Sequence, residues 1–556
     1  MREIVADILS KHVKLGKKKI VDLIEIPPSS YLGDYAFPCF SLAKIEKKNP
    51  VEIAKEISSK IKSDEFELVK SVGPYVNFFI NRNHLAEKTL DSIRKAKDRY
   101  GSGKDSRTIL IEFSQANTHK SFHVGHIRAT SFGESLSRVL EFNGNKVIRA
   151  NYQGDTGMHV AKWIWCYKKY HSKEELKREE PWIASIYVEA VKRLGENEKL
   201  QEEVDEINRN LEEGKDKELM SLWKKSRDYS LQAFEKIYKE LNTRFDKYYF
   251  ERDVEKRGKE IAQELVKKGI AEISEGAIII NFEKYNLGVW VLLRKDGTVL
   301  YSVKDLALAE KKFKDFKLEG AIATIGMAQF LHTSQIKKAL ELMKFSKAKD
   351  YNFLHFAEVR LPSGKMSSRT GDNILYSDFM KEITDYAKSE ILKREKVKGK
   401  ELEDRALAIA ISAIKYSLLR QHSNSVIVFN KEEALNFEGN TGPYLLYSYA
   451  RARSILRKAK YKKQKLSIRA ITDDEKMIIA KLSNFPEIVR KAYVDLSPST
   501  IANYAFQLSQ KFNEFYHSNK VIGSDNESFR LAIVDSFSIV LKNALSLLGI
   551  NVLKKM

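Results

Sequence analysis

The stretch Glu112-Phe-Ser-Gln-Ala-Asn117-Thr-His-Lys120-Ser-Phe-His123-Val-Gly-His126 lies between a β-like run (108–113) and a helix-like run (127–142). In an open α/β sheet, ligands bind beyond the carboxyl ends of the strands, where a helix N-terminus offers free N–H groups that suit phosphate. Gly125 has no Cβ and would let a flat base or a backbone approach closely. The histidines on either side of it could then donate hydrogen bonds to charge that develops on a phosphate.

The three histidines of this stretch, His119, His123 and His126, also have spacings that could suit a metal. No cysteine lies nearby, however, and residues 113–133 contain neither Asp nor Glu. Phosphate chemistry is therefore the favoured interpretation, and we predict no metal site here.

A second stretch far downstream, Pro362-Ser-Gly-Lys365-Met-Ser-Ser368-Arg-Thr-Gly371, is a loop rich in Gly and Ser with a lysine at its centre. Such a loop can close over phosphates, with Lys365 as a point charge and Ser367 and Ser368 as hydrogen-bond donors. The alternative is a solvated turn before the helix that starts near Ser377. The first stretch followed by the serine-rich loop indicates one class of protein far more specifically than either motif does alone. Together, the two motifs resemble the signature motifs of class I aminoacyl-tRNA synthetases.

Composition restricts the class of protein. The 556 residues are enough for three or four domains, and 43% apolar with 31% charged residues is typical of a soluble globular chain. A net charge of +22 predicts a polyanionic partner, nucleic acid first and an anionic membrane surface second. No run approaches the roughly 18 apolar residues needed to span a bilayer. Cys39 and Cys166 alone fit a reducing cytoplasm, and we expect both to be buried thiols.

The first domain, residues 1–95, is predicted to be a small α+β module with helical periodicity near both ends of its first 61 residues. Its turn-rich centre carries Tyr31, Tyr35 and Phe37, which would be available for stacking on RNA bases. The alternative is a plain packing domain, since aromatic residues usually fill cores.

The second domain, residues 104–376, is predicted to be a Rossmann-type parallel sheet with a helical insertion at about 163–270. Strand-like runs end at Asn151-Tyr-Gln-Gly-Asp155 and at 245–251, the second being a strand that returns to the sheet. Asp155 could bind a ribose or a substrate amine, or simply form a turn. Lys295-Asp-Gly297 predicts a hairpin that leads to 298–301.

From about residue 378 to the end, the pattern is helical throughout. We expect a helical connector (377–436) and then an all-α domain (437–556). The segment 451–469 carries nine basic residues and no acidic one. Contact with phosphates is therefore as good an interpretation of this segment as a solvated helix face. The predicted fold class is therefore α/β, with a small α+β N-terminal domain and an all-α C-terminal domain.

Several motifs resemble the arginyl-tRNA synthetase family in particular. They are the first stretch from Glu112 onward, Asn151–Gly157, Leu293–Asp305, the segment from Phe437 to Ser454, and the C-terminal ending from Leu547. The resemblance covers essentially the whole chain. A guanidinium substrate agrees with it physically, because planar paired acceptors distinguish arginine from lysine or ornithine.

The resemblance implies a role for each matching residue. The residues implied to contact the phosphates or ATP are His123, Gly125, His126, Lys120, Lys365, Met366, Ser367 and Ser368. Those implied to face the guanidinium are Asp305, Glu251 and Tyr301, and those implied to hold the α-amino and carboxylate end are Asn117, Gln329 and Glu112. The C-terminal domain would bind the anticodon, and the predicted tRNA contacts are Arg451, Arg453, Arg457, Lys458 and Tyr35.

The family reaction has two steps. Arginine attacks the α-phosphorus of ATP to give arginyl-adenylate, and the terminal adenosine of tRNA(Arg) then takes the arginyl group. Magnesium would accompany ATP, and the family resemblance implies that activation needs bound tRNA. We expect a cytoplasmic enzyme, a monomer, without a membrane partner.

Two departures from the family pattern are visible. Ala116 replaces the proline that often precedes the asparagine, so we expect a less rigid loop. Some members carry a lysine just before the histidine motif in place of the one in the serine loop, whereas this chain has both Lys120 and Lys365. The sequence leaves open which of them serves the phosphates.

Two alternatives remain. Within the class, a cysteinyl or class I lysyl enzyme is possible, although a cysteinyl enzyme would want zinc-ligand cysteines that two distant Cys residues do not supply. Outside it, the chain could be an inactive nucleic-acid-binding protein or another adenylyltransferase. The intact His123, His126 and Lys365 argue against lost activity, and the long helical C-terminus argues against a minimal adenylyltransferase.

Overall fold

The computed structural model describes residues 2–360, 362, 375–462 and 467–556. The chain forms two compact units: Met1–Gly101 with Ser448–Ile488 and Gln507–Asn543, and Ser102–Tyr447 with Val489–Phe506 and Ala544–Met556. The strands are β1 Tyr35–Pro38, β2 Phe66–Val72, β3 Tyr75–Ile80, β4 Thr108–Glu112, β5 Lys146–Gln153, β6 Lys247–Phe250, β7 Glu272–Ser274, β8 Ala277–Asn281, β9 Val289–Leu293, β10 Gly320–Gly326, β11 Tyr351–Phe356, β12 Val359–Arg360 and β13 Ile427–Val428.

The α-helices in the described ranges are as follows: α1 Arg2–Leu9, α2 Lys17–Leu23, α3 Phe40–Glu46, α4 Pro50–Lys60, α5 Arg82–Ala96, α6 Val124–Phe142, α7 Met158–Tyr170, α8 Glu180–Glu196, α9 Gln201–Glu213, α10 Lys217–Glu240, α11 Glu251–Lys267, α12 Tyr301–Asp315, α13 Phe330–Leu342, α14 Tyr376–Leu392, α15 Gly399–Leu419, α16 Lys431–Ala434, α17 Gly442–Lys458, α18 Asp473–Ser483, α19 Phe485–Val494, α20 Pro498–Ser518 and α21 Glu527–Leu547.

In the first unit, an antiparallel sheet of order β1-β3-β2 packs on helices around an apolar core. Phe37 lies in that core with none of its surface exposed, so the expectation that it is available for stacking on bases is wrong. It falls on the buried face of β1, a strand that the turn-rich sequence conceals. Tyr35 is half-buried on the same strand, whereas Tyr31 is exposed.

The N-terminal module of this unit also contacts helix α18. Arg82 pairs with Asp473 at 2.9 Å and Lys476 with Asp34 at 2.8 Å. Residues from both ends of the chain thus fold into one compact body.

The second unit is built on a five-stranded parallel sheet of order β11-β10-β4-β5-β6. Ile109, Leu110 and Ile111 of β4 are all buried, as expected of a strand covered on both faces. The predicted strand at 245–251 is β6, which pairs with β5 in parallel. The predicted fold class is confirmed.

Helices α7 to α10 fill the insertion between β5 and β6 around their own core, in which Trp163, Trp165 and Trp223 are buried. Cys166 lies there too, and it and Cys39 are both buried thiols, as predicted. A smaller antiparallel sheet, β7-β8-β9, precedes α12.

The predicted hairpin at Lys295-Asp-Gly297 is present and short. The Gly297 N–H donates to Arg294 O at 2.9 Å, Leu293 forms an antiparallel bridge with Val299, and the Leu300 N–H donates to Leu292 O at 3.1 Å before α12 begins at Tyr301. One detail of the expected secondary structure is wrong, because the region after residue 378 contains β13, which pairs with β12. A two-residue strand is too short to produce a periodic pattern.

Candidate active site

The first stretch lies where the order of the sheet reverses. The chain passes from β4 to β5 on one side, and β10 returns to the other side of β4. Ligands of open α/β sheets bind beyond the carboxyl ends of the strands at such a switch point. The turn into α6 follows β4, and a 3-10 turn, Met327–Gln329, follows β10.

His123 and His126 form a paired structure at the start of α6. The Nδ1 atom of His123 accepts from the Gly125 N–H at 3.1 Å, and that of His126 accepts from the His123 N–H at 3.2 Å. The ring centroids are 3.9 Å apart. Because both Nδ1 atoms accept, each neutral ring carries its proton on Nε2. The site therefore presents two neighbouring N–H donors.

Both imidazoles are kept neutral at pH 7. Burial, followed by the charge of Lys120, lowers the pKa of His123 to about 4. Burial, His123 and Lys120 together lower the pKa of His126 well below its usual value. Neutral rings can hold the N-terminal caps and donate through Nε2 at once, which protonated rings cannot do.

The absence of a side chain at Gly125 provides space for the ring of His123. A Cβ on this residue would lie 2.9 Å from Cε1 of His123. On the Cβ side of Gly125, where the sequence predicted the close approach of a base or a backbone, the space is therefore filled by the His123 ring.

Lys120 is held beside the histidine pair by the insertion. Its Nζ lies 5.3 Å from the ring centroid of Tyr187 on α8. Burial and Lys162 lower its pKa, while Glu251 raises it. The ammonium is thus close to both imidazoles and to a predicted arginine ligand.

His119 belongs to the framework of the loop. Its Nδ1 lies 3.0 Å from Thr118 Oγ1 and its Nε2 lies 2.9 Å from Ser226 Oγ, so both ring nitrogens are occupied. Burial lowers its pKa to about 3. The backbone has positive φ at Ser114, Gln115 and His119, a strain that typically concentrates at functional sites.

Glu112 is buried at the end of β4. Its carboxylate is 2.5 Å from Lys312 Nζ and accepts from Gln115 Nε2 at 2.8 Å. Burial lowers the pKa of the fully buried Lys312, but Glu112 and Tyr351 together outweigh that effect, so the net shift of this pKa is upward. An α-amino group at Glu112 would have to share this carboxylate with the lysine.

Asn117 and Glu251 converge over Gly154. A Cβ on this glycine would lie 2.4 Å from Asn117 Oδ1 and 3.1 Å from Glu251 Oε1. The other Glu251 oxygen is 3.2 Å from Lys304 Nζ. Burial raises the pKa of Glu251, and Lys304 opposes that shift.

Asp305 is held by a residue that the sequence analysis missed. His332 Nε2 lies 2.6 Å from Asp305 Oδ2, and its Nδ1 accepts from the Trp290 indole N–H at 3.3 Å. The exposed ring of Tyr301 packs edge-on against His332, with centroids 4.7 Å apart. Gln329 is exposed at the end of the turn after β10.

Tyr152 is a second residue near the predicted arginine ligands that the sequence analysis did not identify. Burial raises its pKa well above the usual value, and the charges of Asp305, Glu251 and Glu112 add to that shift. Tyr152 thus lies among the predicted arginine ligands. Its place at the end of β5, between two residues of a quoted motif, was the only indication in the sequence.

Asp155 has a structural role. One carboxylate oxygen is 3.2 Å from Arg227 Nη1, and the other accepts from the Arg252 N–H at 3.2 Å. These bonds join the loop after β5 to the insertion and to α11.

Lys365, Met366, Ser367 and Ser368 lie outside the described residues. The chain resumes at Leu375, which forms an antiparallel bridge with His123. The next residue, Tyr376, donates its N–H to Phe122 O at 2.8 Å. The segment that directly follows the serine loop is therefore bonded to the histidine motif.

The predicted tRNA contacts lie mostly in the first unit's helices. Arg453 and Arg457 line a cleft of about 400 Å³ with Lys460, Tyr461 and Asp535. Lys458 is exposed, and Arg451 is half-buried and donates to Asn513 Oδ1 at 2.7 Å. Tyr35 is half-buried, and burial raises its pKa to about 12.

Family models match three parts of the chain. The class I (R) tRNA synthetase catalytic domain matches residues 89–430, the arginyl-tRNA synthetase N-terminal domain 1–80, and the DALR anticodon-binding domain 445–556. The parallel sheet with its histidine motif at the switch point is thus the catalytic core of a class I aminoacyl-tRNA synthetase.

Named relatives narrow the class. The arginine–tRNA ligases of Clostridium acetobutylicum and Clostridium perfringens are each 35% identical, and the match covers 100% of this chain and of the relative. The solved arginyl-tRNA synthetase of Thermus thermophilus is 25% identical with a TM-score of 0.82, covering 100% of this chain and 99% of that one. The chain belongs to the arginyl-tRNA synthetase family, as predicted.

Proposed function

We propose that this site joins arginine to ATP as arginyl-adenylate and then passes the arginyl group to the terminal adenosine of tRNA(Arg). The observation that carries the proposal is the tautomer of the histidine pair. Two neutral Nε2–H donors at a sheet switch point suit a transition state in which negative charge grows on the α-phosphate. Donors fixed beforehand by backbone caps need no reorganisation at the moment of reaction.

Arginine would lie with its guanidinium toward Asp305. His332 fixes one oxygen of that carboxylate. The other oxygen, together with the Tyr301 hydroxyl, is then available to accept the planar N–H groups of the guanidinium. Glu251 is the second acceptor that we propose for the guanidinium. Its contact with Lys304 makes it a weaker acceptor, because the lysine already shares its charge. Asn117, Gln329 and Glu112 would hold the α-amino and carboxylate end.

We further propose that Mg²⁺ enters with ATP, bound mainly by phosphate oxygens. Three nearby carboxylates, those of Glu112, Asp155 and Glu251, already have lysine or arginine partners, which makes them poor cation ligands. Lys365 and Lys120 are the candidates for the departing pyrophosphate.

The remaining proposals concern the whole enzyme. Within the described ranges, none of the helices combines the length and apolar character that crossing a bilayer requires. We expect a cytoplasmic monomer that uses Arg453, Arg457 and Lys458 to contact the tRNA backbone.

The test is pyrophosphate exchange with ATP, run across amino acids with and without tRNA(Arg). We expect exchange with arginine only, and only when tRNA is present. His123→Asn and His126→Asn should each lower kcat by about 100-fold, the usual cost of losing one such donor. His12→Asn, which alters an exposed histidine, is the matched control. Wild-type exchange rates in both site variants would contradict the proposal.

A further inference from the structure

A buried carboxylate on the insertion contacts the backbone of the histidine motif. Glu180, the first residue of α8, has only 6% of its surface exposed. One of its oxygens accepts from the Phe122 N–H at 3.1 Å. Phe122 directly precedes His123, so this bond fixes the peptide that leads into the helix cap.

The second oxygen of Glu180 faces a different segment. It accepts from Ser377 Oγ at 3.3 Å, on the first turn of α14. That segment is already bonded to the motif through Tyr376 and Leu375. Glu180 thus joins three parts of the chain that are far apart in sequence: the motif, the insertion and the start of α14.

The ring of Phe122 strengthens this arrangement. It is completely buried, and its centroid lies 5.1 Å from that of His126 and 5.8 Å from that of Tyr376. Movement of the Phe122 backbone would therefore shift the His126 ring as well as the N–H that caps it.

We propose that Glu180 is a positioning residue for adenylate formation, which sets the His123 and His126 rings by holding the Phe122 N–H and Ser377. This inference rests on the proposed role of the two histidines at the α-phosphate. It assigns to the helical insertion a direct part in the geometry of the reacting centre.

Hydrogen bonding, and not charge, is what the position requires. Burial raises the pKa of Glu180 to about 7, and the nearby Asp378 adds to the shift. A glutamine has the same shape, and it can accept from Phe122 through its carbonyl while its amide donates to the serine hydroxyl. Glutamine should therefore replace Glu180, whereas alanine would leave a buried N–H without an acceptor.

The experiment compares Glu180→Ala, Glu180→Gln and Ser377→Ala with Glu179→Gln, which changes the exposed neighbour. Arginine- and tRNA-dependent pyrophosphate exchange is measured per active site. We expect Glu180→Ala to lower kcat by about 10- to 100-fold, as small misplacements of a reacting group do. The KM values for ATP and arginine should change less than about threefold, because substrate binding is not the step affected.

The glutamine variant should recover kcat to within about threefold of wild type, a rescue that follows from its matching hydrogen bonds. Ser377→Ala, which removes one of the two contacts, should lower kcat by a smaller factor and remains informative if Glu180→Ala does not fold. Unchanged kcat in both alanine variants, or a rise in KM with kcat intact, would overturn the inference. His123→Asn run beside them separates the two ideas: if it is inactive while Glu180→Ala is active, only the positioning role fails.

Discussion

The Asp305 carboxylate and the His332 imidazole are 2.6 Å apart, and Trp290 bonds to the other ring nitrogen of His332. The predicted guanidinium acceptor is therefore held by the His332 imidazole behind it. This arrangement leaves the charge of Asp305 available to a cationic substrate.

Asp305→Asn should raise the KM for arginine by about 100-fold or more, since the contact with the guanidinium loses its charge assistance. The KM for ATP should stay near the wild-type value. His332→Ala should raise the arginine KM by a smaller factor, because it loosens the carboxylate without removing it. Exchange assays with varied arginine measure both effects, and the exposed Asp385→Asn is the control. An unchanged arginine KM in Asp305→Asn would remove this residue from the site.

Gly125→Ala should disturb the histidine pair without unfolding the chain. The new Cβ would lie 2.9 Å from Cε1 of His123, closer than real contacts allow. We expect the ring to rotate and kcat to fall by about 10-fold or more, since its Nε2 donor is displaced. Gly195→Ala on α8, where a Cβ meets no atom within 4 Å, should be neutral. Equal activity in the two variants would show that the ring can yield.

Lys365→Ala should lower the rate of adenylate formation more than it weakens arginine binding. The loss of a phosphate-bound ammonium affects the departing pyrophosphate and leaves the amino-acid pocket intact. Lys120→Ala is the comparison, because the structure places Lys120 beside both imidazoles. A larger loss in Lys120→Ala would assign the phosphates to that residue, and the exposed Lys168→Ala controls for lost surface charge.

The buried His119 and His159 should contribute stability that increases as the pH rises from about 3 to 6.5. Burial lowers the pKa values of His119 and His159 to about 3, so the unfolded chain binds more protons than the folded one within this window. His119→Asn keeps a residue that tolerates positive φ and removes one titrating group. The melting temperature of this variant should depend less steeply on pH across the window, whereas exposed His12→Asn should keep the wild-type slope.

Binding of tRNA(Arg) should weaken steeply with salt. Arg453 and Arg457 share a cleft with Lys460, and replacing either arginine by glutamine should reduce the slope of log K against log salt by about 1. Lys400→Gln, on an exposed turn of α15, should leave the slope unchanged. A flat salt response of the wild-type enzyme would argue against an interface led by phosphate contacts.

The fold of the catalytic domain could be predicted from the sequence because the patterns that define it are local. The parallel strands appear as apolar runs, and the two motifs appear as short strings with fixed order. The same reasoning failed for Phe37, where turn residues hide a strand and the face of that strand decides burial. It also gave no indication of β13, which is too short for any periodicity.

By itself, the sequence determined the class of fold, the family and the identity of the histidine and lysine motifs, because local patterns and motif chemistry need no partner from afar. Only the tertiary structure decided which atoms these groups use. It placed the protons of His123 and His126 on Nε2, set His332 behind Asp305, and brought Glu180 to the Phe122 peptide across 58 residues. The physical reason is that histidine tautomers, buried ion pairs and the acceptors of buried N–H groups depend on the neighbouring side chains. In the folded protein those neighbours come from distant parts of the chain.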